Sequence, residues 1–351
     1  MSDDVIDIPS TARLRLDGDA LAANWRTLDD MSGFASTGAA IKANAYGLGA
    51  VEVFQRLQSI GCRDFYVTNW QEASEIESFT QEGTNVFVLN GPRPEDMPFA
   101  MVSPAKPVLN SMEQVRRWQQ TRLPCNIMIN SGMNRLGIDP ASVEQFNWNV
   151  LDIDMVMSHL ASADEDGPQN TDQLDQFISA LKYVSGKRVS LSNSAGIALG
   201  QAYHFDCTRP GLSLYGGKPR PELSGAIKQV VFPEAQILQV SMLKRGDKVG
   251  YNAKYIAERD HPIATLAMGY ADGYLRGFSD KGAFFYGQTR LPVLGRVSMD
   301  LIAIDISDAP ALKESDWLTA EYDLLIASRQ SGLSQYELIT GLGNRFARYW
   351  I

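Results

Sequence analysis

About eight short apolar runs, spread through the first 220 residues, constrain the fold of this chain more than any other feature. They fall at residues 39–43, 65–68, 86–89, 106–109, 126–129, 155–158, 189–192 and 212–215. Each is the length of a buried strand, and most pairs are separated by enough amphipathic sequence for a helix. Alternating strand and helix signals predict a parallel sheet, and a count near eight predicts a closed (β/α)8 barrel. An open doubly wound sheet would want Gly-x-Gly-x-x-Gly after its first strand. The corresponding turn reads Tyr46-Gly47-Leu48-Gly49-Ala50-Val51-Glu52 and does not fit. Ahead of the runs, residues 12–16 alternate like an edge strand, and Asp17 or Asp19 is placed to cap a helix over 20–25.

Beyond residue 220 the texture changes. Strand-like runs at 230–232, 235–243, 263–268, 283–286, 291–294 and 301–306 follow one another across Gly, Pro and Asp turns with no helix between them. The expected plan is a barrel over residues 1–225, with about 1–16 packing on the second domain, and a mostly-β domain over 226–351. Ser334-Gln335-Tyr336-Glu337 starts its last element as a capped helix.

The 351 residues are 44% hydrophobic and 21% charged, which is ordinary for a globular protein, and the net charge of −9 argues against a nucleic-acid partner. Cys62, Cys125 and Cys207 are too scattered for a disulfide framework, and no CxxC pair suggests a metal, so a reducing cytoplasm is expected. Met1-Ser2-Asp3-Asp4-Val5 lacks the basic and apolar regions of a secretory signal, and no run is long enough to cross a bilayer.

In a (β/α)8 enzyme the chemistry collects where the strands end. Those positions carry Lys42, Asn134-Arg135, Ser158-His159, Asn193-Ser194 and, before the last run, Arg209-Pro210-Gly211. Lys42 stands among Ala39, Ala40, Ile41, Ala43 and Ala45, where desolvation would lower its pKa and make the amine a nucleophile. A strand-end lysine that reaches back to water is the competing reading. Taken singly, His159 also reads as a structural histidine, Arg209 as a loop ion-pair partner, and Asn193-Ser194 as a helix cap. Placed on one rim, these cations predict an anionic ligand. Three tyrosines stand in glycine turns of the second domain, at Gly250-Tyr251 and in Gly269-Tyr270-Ala271-Asp272-Gly273-Tyr274. Such tyrosines are commonly structural, yet one beside positive charge can serve as a general base.

Together these segments resemble a known family. Ile41-Lys42-Ala43-Asn44-Ala45-Tyr46-Gly47 is similar to the pyridoxal phosphate lysine motif of alanine racemases. Gly132 to Gly137, Ser158 to Asp164, Asn193 to Gly196, Arg209 to Gly211, Gly269 to Tyr274 and Gly295 to Asp300 resemble that family's other motifs, in its order, over nearly the whole chain. The resemblance implies a fold-type III pyridoxal phosphate enzyme that interconverts L- and D-alanine as a head-to-tail homodimer with shared active sites, supplying D-alanine for peptidoglycan. It implies Lys42 as cofactor anchor and base on one face of the α-carbon, with Tyr251 of the partner subunit as base on the other. Tyr46, Asn193, Ser194, Gly211 and Leu212 would hold the phosphate side of the cofactor. Arg209 would meet the pyridine nitrogen and His159 would fix Arg209. Arg135 and the Met299 amide would bind the substrate carboxylate, while Asp164, Tyr270, Arg276 and Arg296 would line the entrance.

The chain departs from the family pattern in places. Met128 stands where a lysine, sometimes carbamylated, often supports the arginine matching Arg135; Asn130-Ser131 replaces Asp-Thr; Leu48 replaces a common histidine; Asn344 stands where some members place a phosphate-binding tyrosine. Basic amino-acid decarboxylases of the same fold usually meet the pyridine nitrogen with glutamate and use a cysteine in the β domain. Here the residue is Arg209, and no cysteine follows Cys207. A broad-specificity, serine or lysine racemase would keep both Lys42 and Tyr251 and differ at the entrance. A non-catalytic pyridoxal phosphate-binding protein would lack the β domain.

Overall fold

The computed structural model describes residues 8–351, so the acidic leader lies outside the described residues. The chain divides into two units, one built from Ala20–Lys228 and the other from the segment up to Asp19 together with Gln229–Ile351.

The first unit is the (β/α)8 barrel. Seven parallel strands run in chain order, Ala39–Ala40, Asp64–Val67, Asn85–Val88, Lys106–Leu109, Cys125–Met128, Ile153–Met157 and Arg188–Ser190. Most are wholly buried, as strands covered on both faces must be. The eighth is Cys207–Thr208, which pairs in parallel with Ser36–Thr37. Its flanks close the ring: Arg209 N–H donates to Ser192 O on one side, and Ala40 N–H donates to Pro210 O on the other. The run at 212–215 is therefore not the eighth strand. It is a 3-10 turn, Leu212–Tyr215, flanked by Gly211 and by Gly216 at φ +99. The correction moves Arg209 to the C-terminal end of a strand.

Helix starts follow from local chemistry. Asn69 accepts from Glu72 N–H to open Trp70–Glu77, and Ser111 accepts from Gln114 N–H to open Met112–Trp118. At the opposite end of the barrel from the mouth, the strands begin with charge. Lys106 donates to Asn85 and Asp154, Asn85 donates to Asp64, and Arg188 bridges Asp64 and Asp154. Burial alone would raise the Asp154 carboxyl, but Lys106 and Arg188 outweigh it and hold it below the ordinary range.

The second unit is a β sheet of eight strands wrapped around the 13-residue strand Val231–Leu243. Ala12–Leu16 pairs antiparallel with it and parallel with Ala347–Trp350, so it lies inside the sheet and is not the edge strand its alternation predicts. Glu234 explains the attachment, since it accepts from both Arg13 and Arg15 at 2.6 and 2.9 Å. Gln335–Thr340 begins with the expected capping box, Ser334 Oγ accepting from Glu337 N–H and Glu337 accepting from Ser334 N–H. The preceding helix Leu324–Ser331 and the strands Trp317–Ala320 and Ala347–Trp350 have no counterpart in the sequence reading.

Among the described residues no helix is long and apolar enough to cross a membrane, and no group of His, Cys, Asp and Glu could hold a metal ion. Removing Arg188 leaves Asp64 and Asp154 without a cation partner they now share. Arg188→Ala should lower unfolding free energy by about 3–5 kcal/mol in urea titration; a change within about 0.5 kcal/mol would show that the charged floor of the barrel is not structural.

Candidate active site

Lys42 follows the first barrel strand, and the backbone after it does something unusual. Ala43, Asn44, Ala45 and Tyr46 all have φ between +52 and +56, so four consecutive non-glycine residues form one left-handed turn. That conformation costs an L-residue roughly 1–2 kcal/mol each. Hydrogen bonds over-determine it: Ala45 N–H donates to Ile41 O at 2.7 Å, Gly47 N–H to Ala43 O at 2.9 Å, and Ala50 N–H to Asn44 Oδ1 at 2.7 Å. Gly47, at φ +91, lets the chain leave the turn. Glu72, from the helix Trp70–Glu77 that follows the second barrel strand, accepts Ala43 N–H at 2.8 Å and Thr68 N–H at 2.7 Å.

The Lys42 amine has no hydrogen-bond or ion-pair partner among the described residues. Its pKa lies below the ordinary lysine value, chiefly through burial and then through Arg135, with Glu72 opposing and Arg209 adding to the depression. Lys42 is half-buried, so its side chain is only partly withdrawn from water.

Arg209 is buried, with 7% of its surface exposed. Its guanidinium donates to the Ser190 hydroxyl and to the carbonyls of Ser158 and Leu191, leaving Nε–H without a partner among the described residues. His159 makes no hydrogen bond to it; the barrel's own backbone and Ser190 hold the arginine instead. The His159 imidazole is pushed down to about 3, first by burial and then by Arg209, Lys42 and Arg135, so it is neutral at physiological pH. Its carbonyl accepts from Gln173 Nε2, which ties the loop to the long helix Pro168–Ala180.

Tyr46, Ser194 and Gly211 meet. A Cβ on Gly211 would collide with Tyr46 Oη. The Tyr46 ring packs on Tyr215 at 4.9 Å, and Tyr215 donates to Ala40 O at 2.9 Å. Ser194 Oγ accepts from Gly211 N–H and Ser213 N–H at 3.0 and 3.2 Å. With both lone-pair positions used, its own proton is left to donate. The Gly211 amide is therefore already taken, whereas Leu212 N–H has no partner among the described residues. Ser213 Oγ is buried and has none either. Asn193 accepts from Gly196 N–H and caps the helix Ser194–Ala198.

Arg135 lies exposed on a loop shaped by Asn130, whose Oδ1 accepts from Gly132 and Asn134 N–H; it has no hydrogen-bond or ion-pair partner among the described residues. Met128 is buried in its strand. Asp164 is exposed after the Ile153–Met157 strand, next to Ala163, whose carbonyl accepts from Arg220 at 3.1 Å.

The remaining candidates lie in the β unit. Tyr251, 65% exposed, opens a 3-10 turn after Gly250 at φ +68. Tyr270 N–H donates to Ser298 O and Ala271 N–H to Met299 O, both at 3.0 Å, which sets the Tyr270 and Met299 segments side by side. Arg345 spans Asp272 and Asp300 and fixes that pairing. The Met299 N–H has no partner among the described residues. Arg276 lies over the Tyr270 ring at 5.0 Å, and Arg276 and Arg296 line a cavity of about 350 Å³ with Lys254, Ser279 and Asp280.

Glu72, Ser190, Gln173 and Tyr215 escape the sequence reading. Asn69-Trp70-Gln71-Glu72 carries a signal for the first, an N-cap asparagine with an acid three residues on. The other three become visible only when strands are brought together.

Fold and site define a barrel enzyme with a lysine of lowered pKa just after its first strand and a cationic mouth suited to an anionic cofactor. Residues 16–219 match the N-terminal domain of alanine racemase and residues 230–350 its C-terminal domain. The alanine racemase of Cereibacter sphaeroides is 40% identical over 97% of this chain and 98% of that protein. That of Rickettsia peacockii is 38% identical over 93% of this chain and 96% of that protein. The crystal structure of alanine racemase from Bartonella henselae, with covalently bound pyridoxal phosphate, superposes with a TM-score of 0.91 at 33% identity, covering 98% of this chain and all of that one. The chain belongs to the alanine racemase family.

Because His159 is depressed in the folded state, the unfolded chain binds its proton first as pH falls, and stability should decline between about pH 6.5 and 3. Imidazole NMR of the ligand-free protein should show His159 neutral through pH 5–7; a midpoint near 6.5 would contradict the cationic mouth.

Proposed function

We propose that this chain is an alanine racemase in which Lys42 and Tyr251 are the two bases, serving opposite faces of the substrate α-carbon. Pyridoxal phosphate is the cofactor, and several features of the barrel fit it: a cationic mouth, the donor hydroxyl of Ser194, the free Leu212 N–H, and the buried Ser213 hydroxyl without a partner. When bound, the cofactor withdraws electrons from the α-carbon and makes its hydrogen acidic. The observation that carries the reading is the unpartnered Lys42 amine, kept below its ordinary pKa beside Arg135 and Arg209. Such an amine is a nucleophile that can anchor a carbonyl compound and a base that can accept a proton.

Lys42 would anchor the cofactor and then move the proton on one face. Racemisation needs a second group on the other face, and Tyr251 supplies it from the partner subunit of a head-to-tail homodimer. Tyr46, Ser194 and Leu212 would hold the phosphate, with Gly211 giving Tyr46 room and Asn193 fixing the helix that bears Ser194. Arg209 would meet the pyridine nitrogen with its free Nε–H. A guanidinium holds its proton tightly, so that nitrogen stays unprotonated and proton return to the α-carbon is favoured over side reactions. His159, neutral, would pack in the same mouth without adding charge. Arg135 and the partner subunit's Met299 amide would bind the substrate carboxylate, and Asp164, Tyr270, Arg276 and Arg296 would line the entrance. D-alanine for peptidoglycan precursors is the proposed product use.

Chiral assay with L-alanine, L-serine and L-lysine in parallel should give at least about a hundredfold preference in kcat/KM for alanine. Equal turnover of serine or lysine would reassign the substrate class. Tyr251→Phe should lower kcat by about a hundredfold or more while cofactor absorbance is retained. Loss of cofactor from that variant would make Tyr251 a structural residue.

A further inference from the structure

The turn that carries Lys42 is the most strained backbone at the site, and its geometry decides where the amine stands. Intrinsic preference works against it at four successive residues. The internal bonds of the turn begin at Ala45, so the amide directly after Lys42 needs an acceptor from elsewhere. Glu72 provides it.

We propose that Glu72 is a positioning residue for Lys42: its two carboxylate oxygens clamp the amides of Ala43 and Thr68, holding the left-handed turn against the neighbouring strand end while setting a negative charge beside the amine. The proposal rests on Lys42 being the reacting amine. Three observations support it. The bonds have the length of charge-assisted ones, 2.8 Å to Ala43 and 2.7 Å to Thr68, and each oxygen serves a different segment. Glu72 is itself fixed, because its own N–H donates to Asn69 Oδ1 at 3.0 Å as the third residue of a capped helix. And the charged groups that influence Lys42 are unevenly signed: Arg135 after the Cys125–Met128 strand and Arg209 after Cys207–Thr208 lower its pKa, whereas Glu72 on Trp70–Glu77 opposes them. His159, after Ile153–Met157, also faces this group and is neutral.

No ion pair joins Lys42 and Glu72. The carboxylate therefore does not tie the amine down, while its charge limits how far burial and the arginines depress it. Two substitutions taken together separate the charge from the clamp. In Glu72→Gln the charge is gone and only one oxygen remains to accept, so one amide meets an N–H group. In Glu72→Asp the charge stays but the shorter side chain cannot span both amides.

The test uses the full-length, cofactor-free protein. Acetylation of Lys42 by dilute acetic anhydride is followed against pH by peptide mass spectrometry, with exposed Lys281 as internal reference. Glu72→Gln should move the Lys42 midpoint down by about 0.5–1 pH unit and leave Lys281 unmoved. Glu72→Asp should keep the midpoint within about 0.3 unit, yet lower kcat of the loaded enzyme by about tenfold or more through a displaced amine. A Glu72→Gln midpoint that is unchanged overturns the proposal, as does Glu72→Asp with unchanged kcat. Thermal unfolding of both variants verifies that each is folded. If Lys42 were not the reacting amine, Lys42→Ala would retain racemisation, an outcome independent of either Glu72 result.

Discussion

The site depends on one electrostatic arrangement: a half-buried amine at the mouth of a barrel, where burial and the neighbouring cations lower its pKa. Burial acts first on Lys42, and Arg135 and Arg209 add to it. The same field acts on His159, which responds by staying neutral. Like charges are costly to gather, and the fold meets that cost with fixed dipoles. The carbonyls of Ser158 and Leu191 and the hydroxyl of Ser190 receive the Arg209 guanidinium. Among the described residues, what then faces the mouth is positive charge opposed only by Glu72, and hydroxyl and amide donors without acceptors. Both call for an anionic ligand bearing a group that reacts with an amine, and pyridoxal phosphate has both properties.

Backbone geometry is the second half of the arrangement. The left-handed turn from Ala43 to Tyr46 places Lys42 at its start and Tyr46 at its end, so one strained element sets both the amine and the hydroxyl proposed for the phosphate. Tyr46 is then fixed by stacking on Tyr215, which is tethered to the first strand through Ala40. In the β unit, Asp272 and Asp300 held by Arg345 do similar work for the segments of Tyr270 and Met299. The Tyr270 and Met299 segments of the β unit are thus locked by ion pairs, while the groups proposed for the cofactor lie on barrel loops locked by amide hydrogen bonds.

Much of this is legible in the amino-acid sequence. Periodicity finds seven of the barrel strands because each is short, apolar and flanked by polar turns. It fails at the eighth, since Cys207–Thr208 is only two residues long and the more apolar run at 212–215 coils into a 3-10 turn between glycines. Ala12–Leu16 reads as an edge strand because its alternate residues are charged; those charges are Arg13 and Arg15 reaching Glu234, a partner more than two hundred positions away. The left-handed turn is hard to see in the sequence, as Ala43-Asn44-Ala45-Tyr46 contains no glycine and its conformation rests on hydrogen bonds within the turn and to Glu72. Motif resemblance locates the candidate site residues, but not that Ser190 and two carbonyls, in place of His159, hold Arg209.

The central claim is that Lys42 is the amine that carries the cofactor. Treating the loaded enzyme with sodium borohydride makes the cofactor–lysine link permanent, and peptide mass spectrometry then locates it. The account predicts a pyridoxyl phosphate mass on the peptide containing Lys42 and on no other lysine; that mass on a different lysine, with Lys42 unmodified, would contradict it.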